Sequence, residues 1–207
     1  MKTLSSSKSA AVFLLFLLAL ICNGCLSKPA LQTQLFAFQN PPPAATVSST
    51  RVLGLRSVTV SPLFDNNSFI YRTGAETYEI DHYANFMASP GQAIGIAVRA
   101  HLLASGFFQN VVEADSTARA DMLMEVHVTE LYGDFSQPGH PASVLAMRVT
   151  LLPATDANNH RPFLQKDYSS RIPLKKNTAA DVMAGWDTAL GEVMTELLSD
   201  VARKGRR

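Results

Sequence analysis

Met122-Leu123-Met124-Glu125-Val126-His127-Val128-Thr129-Glu130-Leu131-Tyr132, read with Leu145, Met147, Val149 and Leu151 further on, decides the architecture of this 207-residue chain. Met122, Met124, Val126 and Val128 alternate with Leu123, Glu125, His127 and Thr129, and a period of two belongs to a strand with unlike faces. The segment 142–152 repeats the pattern. Between the two runs, Gly133-Asp134-Phe135-Ser136-Gln137-Pro138-Gly139-His140-Pro141 is rich in turn formers, so the two long strands are expected to pair antiparallel. A polar turn at 156–160 leads to a third strand at 163–174. There Leu164, Tyr168, Ile172 and Leu174 share a parity with Lys166 and Ser170, a polarity that suits an edge.

Helices are expected on both sides of this group in the sequence. Ser89 can cap, Pro90 suits the first helical position and Gln92 completes a capping box. Ile94, Ala97, Val98, His101, Leu102 and Ser105 then share one face, with Gly106 as the stop, which predicts a helix over about 90–105. Thr178 and Asp181 open a second helix reaching about Lys204, striped by Val182, Met183, Trp186, Ala189, Leu190, Val193, Met194, Leu197 and Val201. Its basic end, Arg203-Lys204-Gly205-Arg206-Arg207, complements the negative helix terminus. That tail reads either as a solvated terminus or as a contact for acidic protein or anionic headgroups. Upstream, 51–61 reads as a strand, 68–72 and 77–83 as a hairpin around Gly74, and 107–113 as a short strand. The fold class is α/β, with a mixed, partly antiparallel sheet and two main helices.

The chain begins with Lys2 and Lys8 ahead of an apolar run over 10–22. Those 13 residues are too few for a helix crossing a ~30 Å hydrocarbon core, which needs roughly 20. Residues 1–24 therefore read as a signal peptide. Leu20-Ile21-Cys22-Asn23-Gly24-Cys25 resembles a bacterial lipobox, in which the cysteine thiol is diacylglycerylated and becomes the new N-terminus; Cys22 stands where that motif usually has Leu. Cys25 is the candidate lipidation site. The competing reading, a C-x-x-C pair of Cys22 and Cys25, lacks the further cysteines of a metal site and the βαβ context of a redox pair. Leu26, where enterobacterial sorting would place Asp to retain a lipoprotein at the inner membrane, points by the same resemblance to the outer membrane. Residues 25–50 are an acylated N-terminus and short tether, with a short strand at Leu35-Phe36-Ala37-Phe38 and a Pro-rich break at 39–45. Residues 51–207 form a single α/β domain.

Without residues 1–24 the chain keeps 17 Asp+Glu and, of 18 Lys+Arg, all but Lys2 and Lys8. That leaves no basic surplus for nucleic acid. No disulfide can form within the mature chain, so packing alone must hold it. Metalloprotease, nucleophile-elbow, phosphate-loop and dinucleotide motifs are missing. His82, His101, His127, His140 and His160 are scattered at no metal-ligand spacing. His127 and Glu125 share a strand face, and Asp65, Glu76 and Asp81 lie near the hairpin, without acid/base logic. No cofactor, no metal and no catalysis are expected. Met122, Met124, Met147, Met183 and Met194 either fill a core or line an adaptable apolar pocket; the second reading makes the protein a periplasmic lipid-binding or lipid-chaperoning lipoprotein.

Several local words in order resemble the ABC-type transport auxiliary lipoprotein family, which includes lipoproteins of Pqi-type and related mammalian-cell-entry-domain transport systems. They are Leu55-Arg56-Ser57-Val58-Thr59-Val60, Phe69-Ile70-Tyr71-Arg72, Tyr83-Ala84-Asn85-Phe86, Leu103-Ala104-Ser105-Gly106-Phe107-Phe108 with Val111-Val112, Glu130-Leu131-Tyr132-Gly133-Asp134-Phe135 and Pro141-Ala142-Ser143-Val144-Leu145. Many relatives have Trp where Phe86 stands. The resemblance implies an anticodon-binding-domain-like arrangement and a non-catalytic role in moving lipids or other apolar compounds between two membranes. An inner-membrane ABC permease and ATPase would supply the energy. The direct partner would be the periplasmic mammalian-cell-entry protein, docked by this lipoprotein alone or as a homo-oligomeric collar. The loop 134–141 and the C-terminal tail are the expected docking site, with Asp134, Phe135, His140, Lys204, Arg206 and Arg207 as its residues.

Overall fold

A computed structural model describes residues 32–39, 41, 49–113, 115–154 and 161–204. Met1–Gln32 and Thr33–Arg207 are separate units, and the elements described here belong to the second. In chain order they are β1 (Gln34–Phe36), β2 (Val52–Val60), β3 (Ser68–Arg72), β4 (Tyr78–Phe86), α1 (Pro90–Ala104), β5 (Asn110–Glu113), β6 (Met122–Asp134), β7 (Ala142–Pro153), β8 (Leu164–Pro173) and α2 (Ala179–Lys204).

The alternating run becomes β6, the hub of one mixed sheet. On one edge it pairs antiparallel with β7, from Met122↔Pro153 to Asp134↔Ala142, and β7 pairs antiparallel with β8. Its other edge is divided. β2 takes Met122 to Val128 in parallel and carries β5 beyond it, while β3 takes Gly133 and Asp134 and leads through a hairpin to β4 and then to the parallel β1.

A register shift between Val128 and Glu130 makes this division consequential. Before it, Met124, Val126 and Val128 are buried. An extra residue in one strand reverses the facing of all that follow. Past the shift Gly133 faces the second helix, where an added Cβ would lie 3.3 Å from Val182. Tyr132 and Asp134 therefore turn to the opposite face. That face is covered there by Phe64, whose ring stacks on Tyr132 at 5.5 Å, and by Tyr78, edge-on to Tyr132 at 5.8 Å.

Both helices form on the expected caps. Ser89 Oγ accepts from Gln92 N at 3.4 Å and Pro90 opens α1. Thr178 Oγ1 accepts from Asp181 N at 3.1 Å ahead of α2. Ile94, Ala97, Val98 and Leu102 of α1 are buried, as is the α2 stripe from Val182 to Val201. Trp186 sits fully buried at the centre, edge-on to Phe69 at 4.7 Å and stacked on Phe86 at 5.4 Å. Its Nε1 donates to the carbonyls of Val144 at 3.1 Å and Tyr132 at 3.3 Å, so the one polar atom of the ring is satisfied.

The short strand expected near 35–38 forms as β1. Phe36 lies 5.0 Å from Phe69, and Phe38 lies 6.3 Å from Phe86. Chain 51–207 alone therefore does not contain the whole packed body.

Candidate functional site

The loop between β6 and β7 was expected to start at Gly133, but β6 runs on through Asp134. Asp134 is fully buried. Its Oδ1 accepts from Arg72 Nε at 3.3 Å, Ser136 N at 3.0 Å and Ser136 Oγ at 2.6 Å. Its Oδ2 accepts from Arg72 Nη2 at 3.0 Å and Arg171 Nη1 at 2.6 Å. Burial alone would raise this carboxyl's pKa, but the bonds from Ser136 and Arg171 outweigh it and hold the value at about 2. Arg72 comes from β3 and Arg171 from β8, so one carboxylate ties together strands lying on either side of the β6–β7 pair. Arg72 also lies over the Tyr132 ring, 5.5 Å from its centroid.

These bonds fix the loop that follows. Phe135 is half-buried, with its N–H donating to Arg72 O at 2.8 Å and its ring edge-on to Tyr71 at 5.1 Å. His140 N donates back to Gln137 O at 3.1 Å, Gly139 takes a φ of +80° that only glycine adopts freely, and Leu174 N closes the base by donating to Pro141 O at 2.8 Å. The tip, 137–140, including His140, is exposed. Of the loop residues singled out in the sequence, His140 is thus offered to solvent, Phe135 half offered, and Asp134 turned inward.

Lys204 lies elsewhere. α2 begins beside the loop, where Ser143 Oγ of β7 donates to Val182 O at 2.7 Å. It then runs 22 residue steps from Val182 to Lys204, about 33 Å at ~1.5 Å per residue. Lys204 is exposed at the far end. Just before it, Asp200 accepts from Lys166 Nζ at 2.8 Å and Tyr168 Oη at 3.0 Å and pairs with Arg203. Lys166 first, and then Arg203 and Tyr168, hold this carboxyl at about 2 against its burial. The loop and Lys204 therefore stand at opposite ends of α2. Cys25, Arg206, Arg207, His160, the signal segment 1–24 and most of the Pro-rich break lie outside the described residues.

The remaining sequence candidates are occupied singly. Glu125 pairs with Arg56 at 3.2 Å, while His127 Nδ1 shares a hydrogen bond with Thr59 Oγ1 at 2.9 Å. Asp81 accepts from Tyr71 Oη at 2.9 Å. His101 is half-buried on α1, and desolvation lowers its pKa. Among the described residues no group of three His, Cys, Asp or Glu is placed to hold a metal ion, and no helix is long and apolar enough to cross a membrane. Met122, Met124, Met147, Met183 and Met194 are all buried in the core. An open depression of about 770 Å³ between β2 and α1 is lined by residues such as Val58, Gly95, Ile96 and Arg99 and by none of these methionines.

What sequence reasoning missed is the pair Arg72 and Arg171. Arg72 ends β3 and Arg171 lies in β8, both far from Asp134 in sequence, and only the strand order brings them together.

Residues 35–197 match the family described as ABC-type transport auxiliary lipoprotein component. The chain belongs to this family. The family is one of transport auxiliary lipoproteins, which accords with a non-catalytic chain and with a membrane-anchored place in the cell envelope. Among solved structures, protein XCC0632 of Xanthomonas campestris, from family DUF330, is similar at 19% identity, with a TM-score of 0.68 over 84% of this chain and 97% of its own. An uncharacterized protein is similar at 14% identity, with a TM-score of 0.66 over 82% of this chain and 99% of its own. At these identities the likeness shows the fold. No curated protein matches the chain.

Proposed function

We propose that this protein is a non-catalytic lipoprotein subunit of an ABC-type mammalian-cell-entry transport system that moves lipids or apolar compounds between membranes. In this reading acylated Cys25 anchors it in the outer membrane, facing the periplasm, and the body docks the periplasmic transport protein. The observation that carries the reading is the family match over 35–197. Two physical features support it. The core methionines pack against the sheet and helices, which favours holding a partner over carrying a lipid inside. Nine residue steps separate Cys25 from Gln34, so at ~3.3–3.6 Å per step the tether keeps β1 within about 32 Å of the anchoring leaflet.

The loop tip 137–140 is the docking element we favour. A partner that binds a loop already held by Asp134, Arg72 and Arg171 has less ordering entropy to overcome. The tail at Lys204, Arg206 and Arg207 is a second, separate contact.

The test is capture of the transport protein from detergent-solubilised envelopes. Replacing Gln137-Pro138-Gly139-His140 by Gly/Ser should lower co-capture by about tenfold or more, the loss of one strong contact, with thermal unfolding unchanged. If that graft and deletion of 204–207 both leave capture intact, docking at these places is refuted. Labelling with a palmitate analogue tests the anchor: an unlabelled Cys25 with the protein free in the periplasmic extract removes the tethering role.

A further inference from the structure

Leu35 on β1 and Tyr83 and Met87 on and just after β4 are exposed at 62%, 47% and 70%. They are neighbours. Leu35 pairs with Asn85, Phe36 pairs with Phe86, and Met87 N continues the ladder by donating to Phe36 O at 2.8 Å. Phe36 and Phe86 point into the aromatic core around Phe69 and Trp186, so Leu35, Tyr83 and Met87, at the alternate positions, share the opposite face. Asp81 borders the patch, its Oδ1 accepting from Tyr83 N at 2.9 Å and its Oδ2 from Tyr71 Oη at 2.9 Å, while Pro29 to Thr50 and His82 to Val98 contain no Asp, Glu, Lys or Arg. An exposed cluster of Leu, Tyr and Met bordered by a carboxylate that is already hydrogen-bonded within the strand suits the headgroup boundary, where Tyr keeps its ring in apolar surroundings and its hydroxyl wet.

We propose that this patch rests on the lipid bilayer and sets the orientation of the body on the membrane. The inference rests on the anchor reading at Cys25. Ten residue steps separate Cys25 from Leu35, so the chain holds the patch within about 35 Å of the leaflet. At such a short tether the bilayer is the surface always present at high effective concentration, ahead of any diffusing partner. The acyl chains supply the affinity. The patch decides which face turns to lipid, leaving the opposite end of the sheet and α2 to the periplasm.

The test uses the full mature protein purified from membranes and reconstituted in phosphatidylethanolamine/phosphatidylcholine vesicles carrying brominated acyl chains. Met87→Trp places a reporter in the patch, and Phe163→Trp places one at the start of the opposite edge strand. Buried Trp186 is a background common to both. Quenching and a blue shift for Met87→Trp, with neither for Phe163→Trp, is the expected result. Equal quenching at both positions, or none at 87, overturns the proposal. So does a reporter at 87 that stays unquenched in vesicles and changes only when the periplasmic transport protein is added, which makes the patch a protein contact. Mass spectrometry of Cys25 in the same sample separates the two readings: acylated Cys25 without quenching at 87 removes the patch and keeps the anchor, while bare Cys25 with quenching at 87 removes the anchor and keeps the patch.

Discussion

Asp134 stays ionised inside the sheet because five donor contacts from Arg72, Arg171 and Ser136 replace the water it lost. Removing the carboxylate is therefore worse than never having had it. Asp134→Ala leaves two guanidinium groups facing each other across the strand end. Both retain some solvent, 28% for Arg72 and 46% for Arg171, so the cost falls below that of a fully buried pair, at roughly 2–4 kcal/mol. A urea unfolding midpoint measures it. Asp134→Asn keeps the shape and removes the charge. The folded-state pKa of about 2 lies below the usual 3.8, so the stabilisation is fully present above about pH 4 and is lost as pH falls through about 2. Wild type should exceed Asp134→Asn by roughly 1–2 kcal/mol at pH 7, and the gap should close toward pH 2. A gap that is the same at both pH values contradicts the charge role. Only the Ser136 bonds were legible locally, since in Gly133-Asp134-Phe135-Ser136 the Asp has the look of a turn former; the two arginines lie 62 and 37 residues away.

At the scale of the element, α2 docks through its smallest residues. At Gly185 an added Cβ would lie 2.7 Å from Ser143 Cβ, closer still to Ser143 Oγ, and 3.0 Å from Leu174 Cδ2. Ser143 cannot yield easily, since it is fully buried and its Oγ donates to Val182 O. Alanine is the better helix former by about 1 kcal/mol, yet overpacking of this kind costs typically 1–3 kcal/mol. Gly185→Ala should therefore destabilise on balance, with helix content by circular dichroism unchanged and the melting temperature lowered. A more stable variant would show that α2 moves freely over β7. The helices themselves were readable, because caps and a 3.6-residue stripe are local signals. So was the antiparallel pairing of β6 with β7 across a short turn. The order of the other strands was not. That β2 and β3 share one edge of β6 depends on the shift near Thr129, and a hydrophobic pattern does not say which strand lies beside which.

At the scale of the whole molecule, the boundary of the folded body follows from what covers the central aromatics. Phe36 packs on Phe69 and Phe38 on Phe86, while Gln39 N donates to Asp187 Oδ1 of α2 at 2.9 Å. The uncharged, Pro-rich character of 39–45 marks a break in the sequence, and a break reads naturally as a domain edge, but the chain before it returns to the sheet as β1. Two truncations separate these readings. A chain starting at Thr33 keeps every one of these contacts and should unfold at the same temperature as a chain starting at Cys25. A chain starting at Arg51 loses β1 and uncovers the Phe69–Phe86–Trp186 cluster. Exposing one or two half-covered aromatic rings costs roughly 2–4 kcal/mol, which for a body of this size lowers the melting temperature by about 5–15 °C. Trp186 emission reports on the same event, since the ring is dry in the intact protein and lies one residue layer beneath β1. If the two truncations melt together and Trp186 emission does not move, β1 is an ornament on the sheet and the body begins at residue 51. If they differ as argued, the tether from the proposed anchor at Cys25 is only as long as the chain before β1, which is the length on which the proposed contact between the Leu35 edge and the bilayer depends.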